Sequence, residues 1–319
     1  MSATRLGALH VVKPGLLTTV QDVGRVGYQA QGVPVSGPMD AFSHRLANAL
    51  VGNEATAATL EATLIGPELE VDADTTMALA GADFELWCDG APVTMGVSFR
   101  VSRGQRVRFG RLRQGARAYL SVAGGVQVPP ELGSRATHLV TGMGGLQGRA
   151  LRAGDRVPIL TDVAAGPARR SPGLPLPTAG RARLRVLPGP QAEWFTDDAL
   201  RLFADATFRV SPRSDRMGYR LEGPPLVRAR EGELISEPVG MGAIQVPAAG
   251  EPILLMADRQ TAGGYPKVGH VIAADLPLAG QLAPGGVIDF AWCTRAEAIA
   301  ALIARERELL RLSRFVGVG

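Results

Sequence analysis

The amino-acid sequence predicts a mainly β protein whose sheets close into sandwiches or barrels. Glycine (40 residues) and proline (23 residues) recur along the 319-residue chain and separate short apolar runs. Examples of these runs are 75–79, 97–101, 107–109, 118–122 and 253–256. Because a strand needs few residues and each reversal needs a turn residue, this spacing is typical of all-β folds. Helices are therefore expected in the minority.

Helical spacing of apolar residues appears in three segments. They are 39–50, 191–204 and 294 to about 312. The last segment opens with Thr294 and Glu297, which together form the sequence of a capping box. We expect this C-terminal helix to lie on the surface of its domain.

The length of the chain corresponds to about two domains of roughly 150 residues each. We predict a first domain at 1–163, a linker at 164–181 and a second domain, which includes the C-terminal helix, at 182–319. The linker is rich in Ala, Gly, Pro and Arg and has no hydrophobic period.

The two predicted domains share an ordered set of residues, which favours a duplicated β module. Glu61 precedes Asp83 in the first domain, and Glu237 precedes Asp258 in the second at nearly the same spacing. A Gly-x-x-Val/Ile-x-Phe sequence follows in both domains. The alternative, that short strands resemble one another without duplication, stays open.

Composition excludes several classes of protein. With 46% hydrophobic and 20% charged residues, the chain has the apolar surface that disordered proteins lack. No apolar run reaches the roughly 18–20 residues of a membrane helix, and the first residues are too mixed for a secretory signal, so we expect a cytoplasmic protein without a membrane partner. The net charge of +4 is not clustered, which predicts no nucleic-acid partner. Cysteine and histidine spacing predicts no metal ligands.

Only two of the 34 basic residues, Lys13 and Lys267, are lysines. A biased genome composition would replace lysine by arginine at most positions. The lysines that remain then either mark sites that need a compact amine or survive by chance.

The strongest candidate site is the polar segment 258–267, which follows the apolar run 253–257. It combines cations, an amide, a phenol and exposed backbone N–H groups, which suit an anionic ligand or a developing oxyanion. The alternative is a structural Asp–Arg pair beside a glycine turn. The candidate residues are Asp258, Arg259, Gln260, Thr261, Gly263, Gly264, Tyr265 and Lys267.

A second candidate site lies where the first predicted helix begins, at Ser36 and Asp40. Free N–H groups and the helix dipole favour an anion at such a position, whereas Asp40 disfavours one unless a cation lies between them. Helix capping explains both residues equally well.

Four further candidates are predicted to bind substrate. Arg216 and Tyr219 lie in a turn flanked by arginines, and guanidinium groups bind carboxylate or phosphate through two hydrogen bonds. A surface ion pair with Asp215 is the alternative for Arg216. Glu237 and Gln245 are polar residues beside apolar ones, so each is either a ligand contact or a hydrogen-bonding residue at the edge of the core.

These candidates belong to a longer series of motifs. The series comprises 13–25, 33–40, 117–125, 187–191, 214–221, 242–247 and 258–267. Together the motifs closely resemble the allophanate hydrolase subunit 2 family over about residues 5–295. That family includes one component of bacterial 5-oxoprolinase, an enzyme of three components named A, B and C, and part of the carboxyltransferase region of urea carboxylase.

The resemblance implies two cyclophilin-like β-barrel subdomains with a few helices. It also implies the role of the C component in an ATP-dependent 5-oxoprolinase, which opens 5-oxoproline to L-glutamate together with the A and B components and is inactive without them. ATP and Mg²⁺ are the implied cofactors, at an interface between components or on a partner. Two alternatives stay open: the carboxyltransferase component of a biotin-dependent urea-carboxylase-type enzyme, and a regulatory protein that antagonises a kinase inhibitor.

Residue roles follow from what phosphoryl transfer needs, which is charge and positioning. The family resemblance, applied to the motifs above, implies that charge comes from Lys267, Arg259 and Arg216, the magnesium contact from Asp258 or Asp40, and orientation from Tyr265 and Gln245.

Overall fold

The computed structural model describes residues 6–161, 163, 169–171, 173, 176–230, 232 and 234–314. Contacts divide the chain into two units. Unit 1 comprises Met1–Arg25, Ser36–Leu176 and Arg307–Gly319, and unit 2 comprises Val26–Val35 and Pro177–Glu306. Within the predicted linker, residues 164–168, 172, 174 and 175 lie outside the described residues.

The described part of unit 1 contains a nine-stranded antiparallel sheet, one complete helix near its N-terminus, and the end of the C-terminal helix from Arg307 onward. Its elements are β1 (Leu6–Lys13), β2 (Leu17–Gln21), α1 (Ala41–Val51), β3 (Thr59–Thr63), β4 (Glu68–Val71), β5 (Thr75–Cys88), β6 (Ala91–Val93), β7 (Phe99–Val101), β8 (Arg106–Val122) and β9 (Arg156–Leu160). The strand order is β2-β3-β8-β4-β1-β9; β5 pairs with β8, and β6 and β7 pair with β5.

The long strand β8 shows how α1 shapes this sheet. In the first half of β8, buried and exposed residues alternate, whereas its last seven residues are all buried. The cause is α1, whose apolar face packs on this part of the sheet through Phe42, Leu46 and Tyr119. A strand covered on both faces has no solvent side.

Unit 2 is a closed seven-stranded barrel with a short ribbon beside it. Its elements are β10 (Arg181–Pro188), α2 (Asp197–Asp205), β11 (Thr207–Val210), β12 (Gly218–Glu222), β13 (Glu237–Pro238), β14 (Ala243–Gln245), β15 (Ile253–Leu255), β16 (Ala262–Gly263), β17 (Lys267–Val271), α3 (Leu276–Gly280) and β18 (Val287–Trp292), and α4 (Arg295–Arg314) follows. The barrel order is β10-β17-β14-β15-β12-β11-β18, and β13 pairs with β16 as a separate two-stranded ribbon. Stacked Phe203 and Phe290 hold α2 on the barrel, with ring centroids 4.5 Å apart.

The predicted fold class, mainly β with two β units and few helices, is confirmed. The unit 2 sheet closes into a barrel of its own, whereas the strand order of unit 1 does not close. No helix among the described residues is both long enough and apolar enough to cross a membrane.

Two of the three predicted helices are confirmed, and the third is wrong in its start. Asp40 caps α1, and Thr294 and Glu297 form the predicted capping box of α4. The predicted helix 191–204 begins only at Asp197, because Thr196 has an extended backbone and its hydroxyl accepts the Ala199 N–H. The short helix α3 was not predicted, since five residues are too few to show a helical period.

Candidate functional site

A row of residues crosses the outer face of the unit 2 barrel. Arg220 in β12 pairs with Ile253 in β15, Ile253 pairs with Gln245 in β14, and Gln245 pairs with Lys267 in β17. Directly opposed residues of antiparallel strands project to the same face. Leu254, which follows Ile253 in β15 and projects to the opposite face, is fully buried in the core. The row therefore places a guanidinium, an amide and an ammonium on one face of the sheet.

Lys267 forms an ion pair with Glu237 of the β13–β16 ribbon. Lys267 is only 2% exposed, and its Nζ lies 2.5 Å from Oε1 of Glu237. The Glu237 side chain is 39% exposed, so it forms the open side of the pair. The contact with Lys267 is the main reason that the pKa of the Glu237 carboxyl lies below its ordinary value. Among the described residues Nζ has no further acceptor, although an ammonium carries three donors.

Gln191 fixes both partners of this ion pair. Its Nε2 donates to Oε1 of Glu237 at 2.8 Å, and its Oε1 accepts the backbone N–H of Lys267 at 3.2 Å. The Gln191 side chain is 7% exposed and projects from the turn before α2. Because one amide contacts both groups, it sets the position of the carboxylate relative to β17. We call Glu237, Lys267 and Gln191 the lysine cluster.

Gln245 connects the lysine cluster to the loop 258–267. Gln245 is 1% exposed, and its Oε1 accepts a hydrogen bond from Nε2 of Gln260 at 3.2 Å. The Nε2 of Gln245 is buried and has no hydrogen-bond partner among the described residues. Gly263 approaches this amide so closely that an added Cβ would lie 2.6 Å from Nε2. A side chain at 263 would therefore displace the Gln245 amide.

A cavity of about 240 Å³ lies along the row. It is lined by Arg213, Asp215, Met217, Gly218, Arg220, Gln245, Ile253, Leu255, Gln260 and Tyr265. Buried polar groups rarely lack a partner, so the unpaired amide of Gln245 indicates that a ligand or water completes its hydrogen bonding. Unit 1 has a larger cavity of about 490 Å³ beside Trp87 and Arg113, but none of its lining residues carries a buried unpaired polar atom. The smaller cavity is therefore the candidate site.

The structure places Asp258 and Arg216 together, away from this cavity. Both oxygens of Asp258 accept hydrogen bonds from Arg216, at 2.9 and 3.2 Å, and both residues are buried. Arg259 donates instead to the backbone carbonyl groups of Val239, Met256 and Ala257. Burial lowers the pKa of the Arg259 guanidinium. These hydrogen bonds connect the loop to neighbouring parts of the chain. The predicted roles of Asp258, Arg259 and Arg216 in catalysis and substrate binding stay predictions.

The other candidates occupy different surroundings. The Tyr219 hydroxyl donates to the carbonyl of Leu282, and Tyr219 is buried. The Thr261 carbonyl accepts the Val239 N–H in the ribbon. Gly264 lies against the carbonyl of Leu234, to which an added Cβ would be 2.8 Å away.

Ser36 and Asp40 lie in unit 1, at the start of α1. Asp40 Oδ1 accepts the Ser43 N–H at 2.9 Å and Oδ2 accepts the Ser43 hydroxyl at 2.6 Å, as expected for a helix cap. Ser36 has a positive φ of 58° and a buried hydroxyl. The capping interpretation of Asp40 is confirmed.

Sequence reasoning missed three residues of the site. Gln191 lies in the motif 187–191 but has no predicted role, because its contact with Glu237 joins positions forty-six residues apart in the chain. Arg213 and Arg220 line the cavity, whereas the prediction selected Arg216 between them. Arg220 can be found from the alternation of buried and exposed residues along β12, because it is exposed and follows the buried Tyr219.

Comparison with known proteins identifies the family. The family model "Carboxyltransferase domain, subdomain A and B" matches residues 31–292. The chain belongs to this family. It is 40% identical to the C component of the 5-oxoprolinase of Escherichia coli K12, over 96% of this chain and 97% of that protein. It is also 36% identical to the urea amidolyase of Lachancea kluyveri, over 89% of this chain but only 17% of that protein.

Solved structures agree with this assignment. The urea amidolyase of K. lactis superposes with a TM-score of 0.88 at 31% identity, over 98% of this chain and 20% of that chain. The protein TTHA0988 superposes with a TM-score of 0.80 at 42% identity, over 91% of this chain and 57% of that chain. The predicted resemblance to the allophanate hydrolase subunit 2 family is thereby confirmed.

Proposed function

We propose that this chain is the C component of an ATP-dependent 5-oxoprolinase, which acts in the cytoplasm with the A and B components and opens 5-oxoproline to L-glutamate. The observation that carries the proposal is the end-to-end match to the C component of a bacterial 5-oxoprolinase, which spans 97% of that protein. The match to urea amidolyase spans only 17% of its length. Of these two relatives, the 5-oxoprolinase component is therefore the one that matches this chain over nearly its whole length.

The lysine cluster and Gln245 have the groups that opening a lactam requires. A lactam is a stable amide, so its carbonyl oxygen must be stabilised as charge develops on it. The unpaired Gln245 amide lines the cavity and can donate to that oxygen. We propose that the ammonium of Lys267, which pairs with Gln245 beside an irregularity in the β14–β17 register, donates to it as well. Glu237, which is ionised and partly exposed, can accept a proton from the attacking water. The ring C–N bond then breaks as the nitrogen takes the proton that Glu237 accepted from water, which leaves the new carboxyl and amino groups of L-glutamate.

The described residues fit a small amide better than they fit Mg²⁺ with ATP. Both oxygens of Asp258 bond to Arg216, and both oxygens of Asp40 bond to Ser43, so neither carboxylate offers the expected magnesium contact. No group of three or more acidic, histidine or cysteine side chains among the described residues is placed to hold a metal. The cavity of about 240 Å³ is below the roughly 300–1,000 Å³ of drug-sized pockets. We therefore propose that ATP and Mg²⁺ bind at an interface between components or on a partner.

The test is reconstitution. The purified chain is combined with the A and B components, and ATP consumption and glutamate release are measured with 5-oxoproline and with a panel of other lactams and ureas. We expect ATP-dependent glutamate release from the complete mixture and none from this chain alone. Robust activity of the isolated chain, or no 5-oxoproline turnover in the complete mixture, would contradict the proposal.

A second candidate function is favoured by the matched family model, which describes a carboxyltransferase domain, and by the structural match to urea amidolyase. In that case the chain would transfer a carboxyl group from a biotinyl carrier on another protein to a urea-type substrate. Bicarbonate-dependent, avidin-sensitive ATP consumption in the presence of urea would favour this function over 5-oxoproline opening.

A further inference from the structure

The two arginines that line the cavity have no carboxylate partner. Arg213 and Arg220 are exposed, and neither guanidinium makes a hydrogen bond or ion pair with a described residue. Asp215 is the acidic residue of the lining, and its Oδ1 accepts the N–H groups of Met217 and Gly218 in a tight turn. The mouth of the cavity therefore carries an excess of positive charge.

The spacing across the sheet sets the size of a ligand that contacts both ends. Arg220 and Gln245 lie in the same row, with β15 between their strands. Two strand spacings separate their backbones by about 9.5 Å. Both residues line the cavity, so a small molecule with an anionic group at one end and a carbonyl at the other can bond to both. Ile253 in the middle of the row provides an apolar floor.

We propose that this cavity is the substrate subsite, in which Arg220 and Arg213 bind the carboxylate of a small carboxylated lactam while Gln245 Nε2 donates to its carbonyl oxygen. The inference deepens the proposed function, on which it rests, by assigning the substrate's charge to two named residues. It also predicts a preference for a carboxylated lactam over neutral lactams and ureas, because a neutral ligand leaves both guanidinium groups without a partner.

The test measures binding without turnover. Saturation-transfer NMR in the absence of ATP gives the Kd of 5-oxoproline and of its neutral analogue 5-oxoprolinamide for the full-length chain. For the natural chain we expect the acid to bind about tenfold more tightly than the amide, since charged hydrogen bonds to arginine discriminate by at least this amount. In the double variant Arg213→Met/Arg220→Met the preference disappears. Arg183→Met, an exposed arginine of β10 that does not line the cavity, retains it.

Equal binding of acid and amide by the natural chain, no binding of either, or an unchanged preference in the double variant would overturn the inference. The reconstituted enzyme separates this result from the proposed function. If the complete mixture opens 5-oxoproline but the double variant keeps the KM of the natural enzyme, the subsite assignment fails and the activity stands. If the complete mixture shows no turnover, the proposed function fails, and the Kd comparison still decides whether the arginines read the carboxylate.

Discussion

Each unit has a cluster in which a glutamate accepts two hydrogen-bond donors, but the two clusters differ in access to solvent. In unit 1, Oε2 of Glu61 accepts the Tyr119 hydroxyl at 2.7 Å and the Met39 N–H at 2.9 Å. In unit 2, Oε1 of Glu237 contacts Nζ of Lys267 and Nε2 of Gln191. Glu61 is 1% exposed, whereas the Glu237 side chain is 39% exposed.

The comparison shows how one bonding pattern serves two purposes. The Tyr119 hydroxyl also accepts the N–H of Asp40, which caps α1, so the unit 1 cluster fixes the start of a helix. Burial and the nearby carboxylates raise the pKa of Tyr119 well above its ordinary value, so its proton stays in place. In unit 2 the carboxylate is open and the cation has unused donors, which leaves the cluster able to bind a ligand. Changes in unit 1 should therefore affect stability, and changes in unit 2 should affect activity.

The largest effect is expected from Lys267→Met. Loss of the ammonium removes a donor to the developing oxyanion, so ATP-dependent glutamate release of the reconstituted enzyme should fall roughly 10²–10³-fold. Because the Glu237 carboxylate that loses its partner is 39% exposed, the free energy of unfolding should fall by less than the roughly 3–5 kcal/mol lost when a fully buried ion pair is broken. Lys13→Met is the matched control, because Lys13 is 72% exposed and pairs with Glu68 on the surface. Similar rates for both variants would remove the distinction between the two lysines.

Residue type was enough to predict part of this site. Lys267 stood out because lysine is rare in this chain, and the polar loop stood out because it follows an apolar strand. Composition could not separate Lys267 from Lys13, since the difference between them is burial. Glu237 and Gln245 were selected as polar residues beside apolar ones, which does not specify what they contact.

The remaining features depend on contacts between distant parts of the chain. The spacing of glycine and proline predicts strands, but the row from Arg220 to Lys267 requires the register of four strands, which no local pattern encodes. Likewise, Arg216 is selected by proximity to a turn, yet it is bonded to Asp258, forty-two positions along the chain. Assignment of residues 26–35 to unit 2 also follows from long-range contacts.

A pH effect on stability is expected from unit 1. Complete burial lowers the pKa of His44 from 6.5 to about 4, and its Nδ1 lies 3.0 Å from the Thr59 hydroxyl. Between these pH values the unfolded chain binds a proton that the folded chain does not, so stability rises with pH, by about 3 kcal/mol in all. Urea denaturation at several pH values measures this slope. His44→Gln should flatten it, and an unaltered slope in that variant would assign the effect to other groups.

A smaller loss of stability is expected from Tyr119→Phe. The substitution removes a donor to the buried Glu61 and an acceptor for the Asp40 N–H, which should cost about 1–3 kcal/mol in the free energy of unfolding. Folded protein should retain its activity in the reconstituted enzyme. Tyr265→Phe is the control for stability, because Tyr265 is 49% exposed and should change the unfolding free energy very little. Equal losses of stability in Tyr119→Phe and Tyr265→Phe would contradict the claim that the buried hydrogen bonds of Tyr119 stabilise unit 1.

The smallest effect, and the one that tests positioning, is expected from Gln191→Met. Gln191 is the second cause of the low pKa of Glu237, after Lys267, so its loss should raise that pKa toward 4.5 by less than Lys267→Met does. Because Glu237 must be ionised to accept a proton, the acid limb of the pH–rate profile should move to higher pH. A carboxyl ¹³C titration of Glu237 by NMR measures the same shift directly. A carboxyl whose pKa is lower in the folded than in the unfolded chain stabilises the fold above the unfolded-state pKa, and this contribution is lost as pH falls through the folded-state pKa. Because Gln191→Met makes the Glu237 pKa less depressed, the variant should gain less stability from Glu237 at neutral pH than the natural chain does.

The two readouts separate positioning from simple support of the fold. If Gln191 only supports the turn before α2, Gln191→Met should lower the free energy of unfolding while the acid limb and the Glu237 titration stay where they are. If Gln191 positions the carboxylate, kcat should fall several-fold with the pKa shift, and KM for 5-oxoproline should change less, because the carboxylate of the substrate contacts the arginines at the other end of the row. Glu61 gives the contrast, since its two donors come from Tyr119 and a backbone N–H in a closed site, and no change at Gln191 should alter α1 or the stability of unit 1.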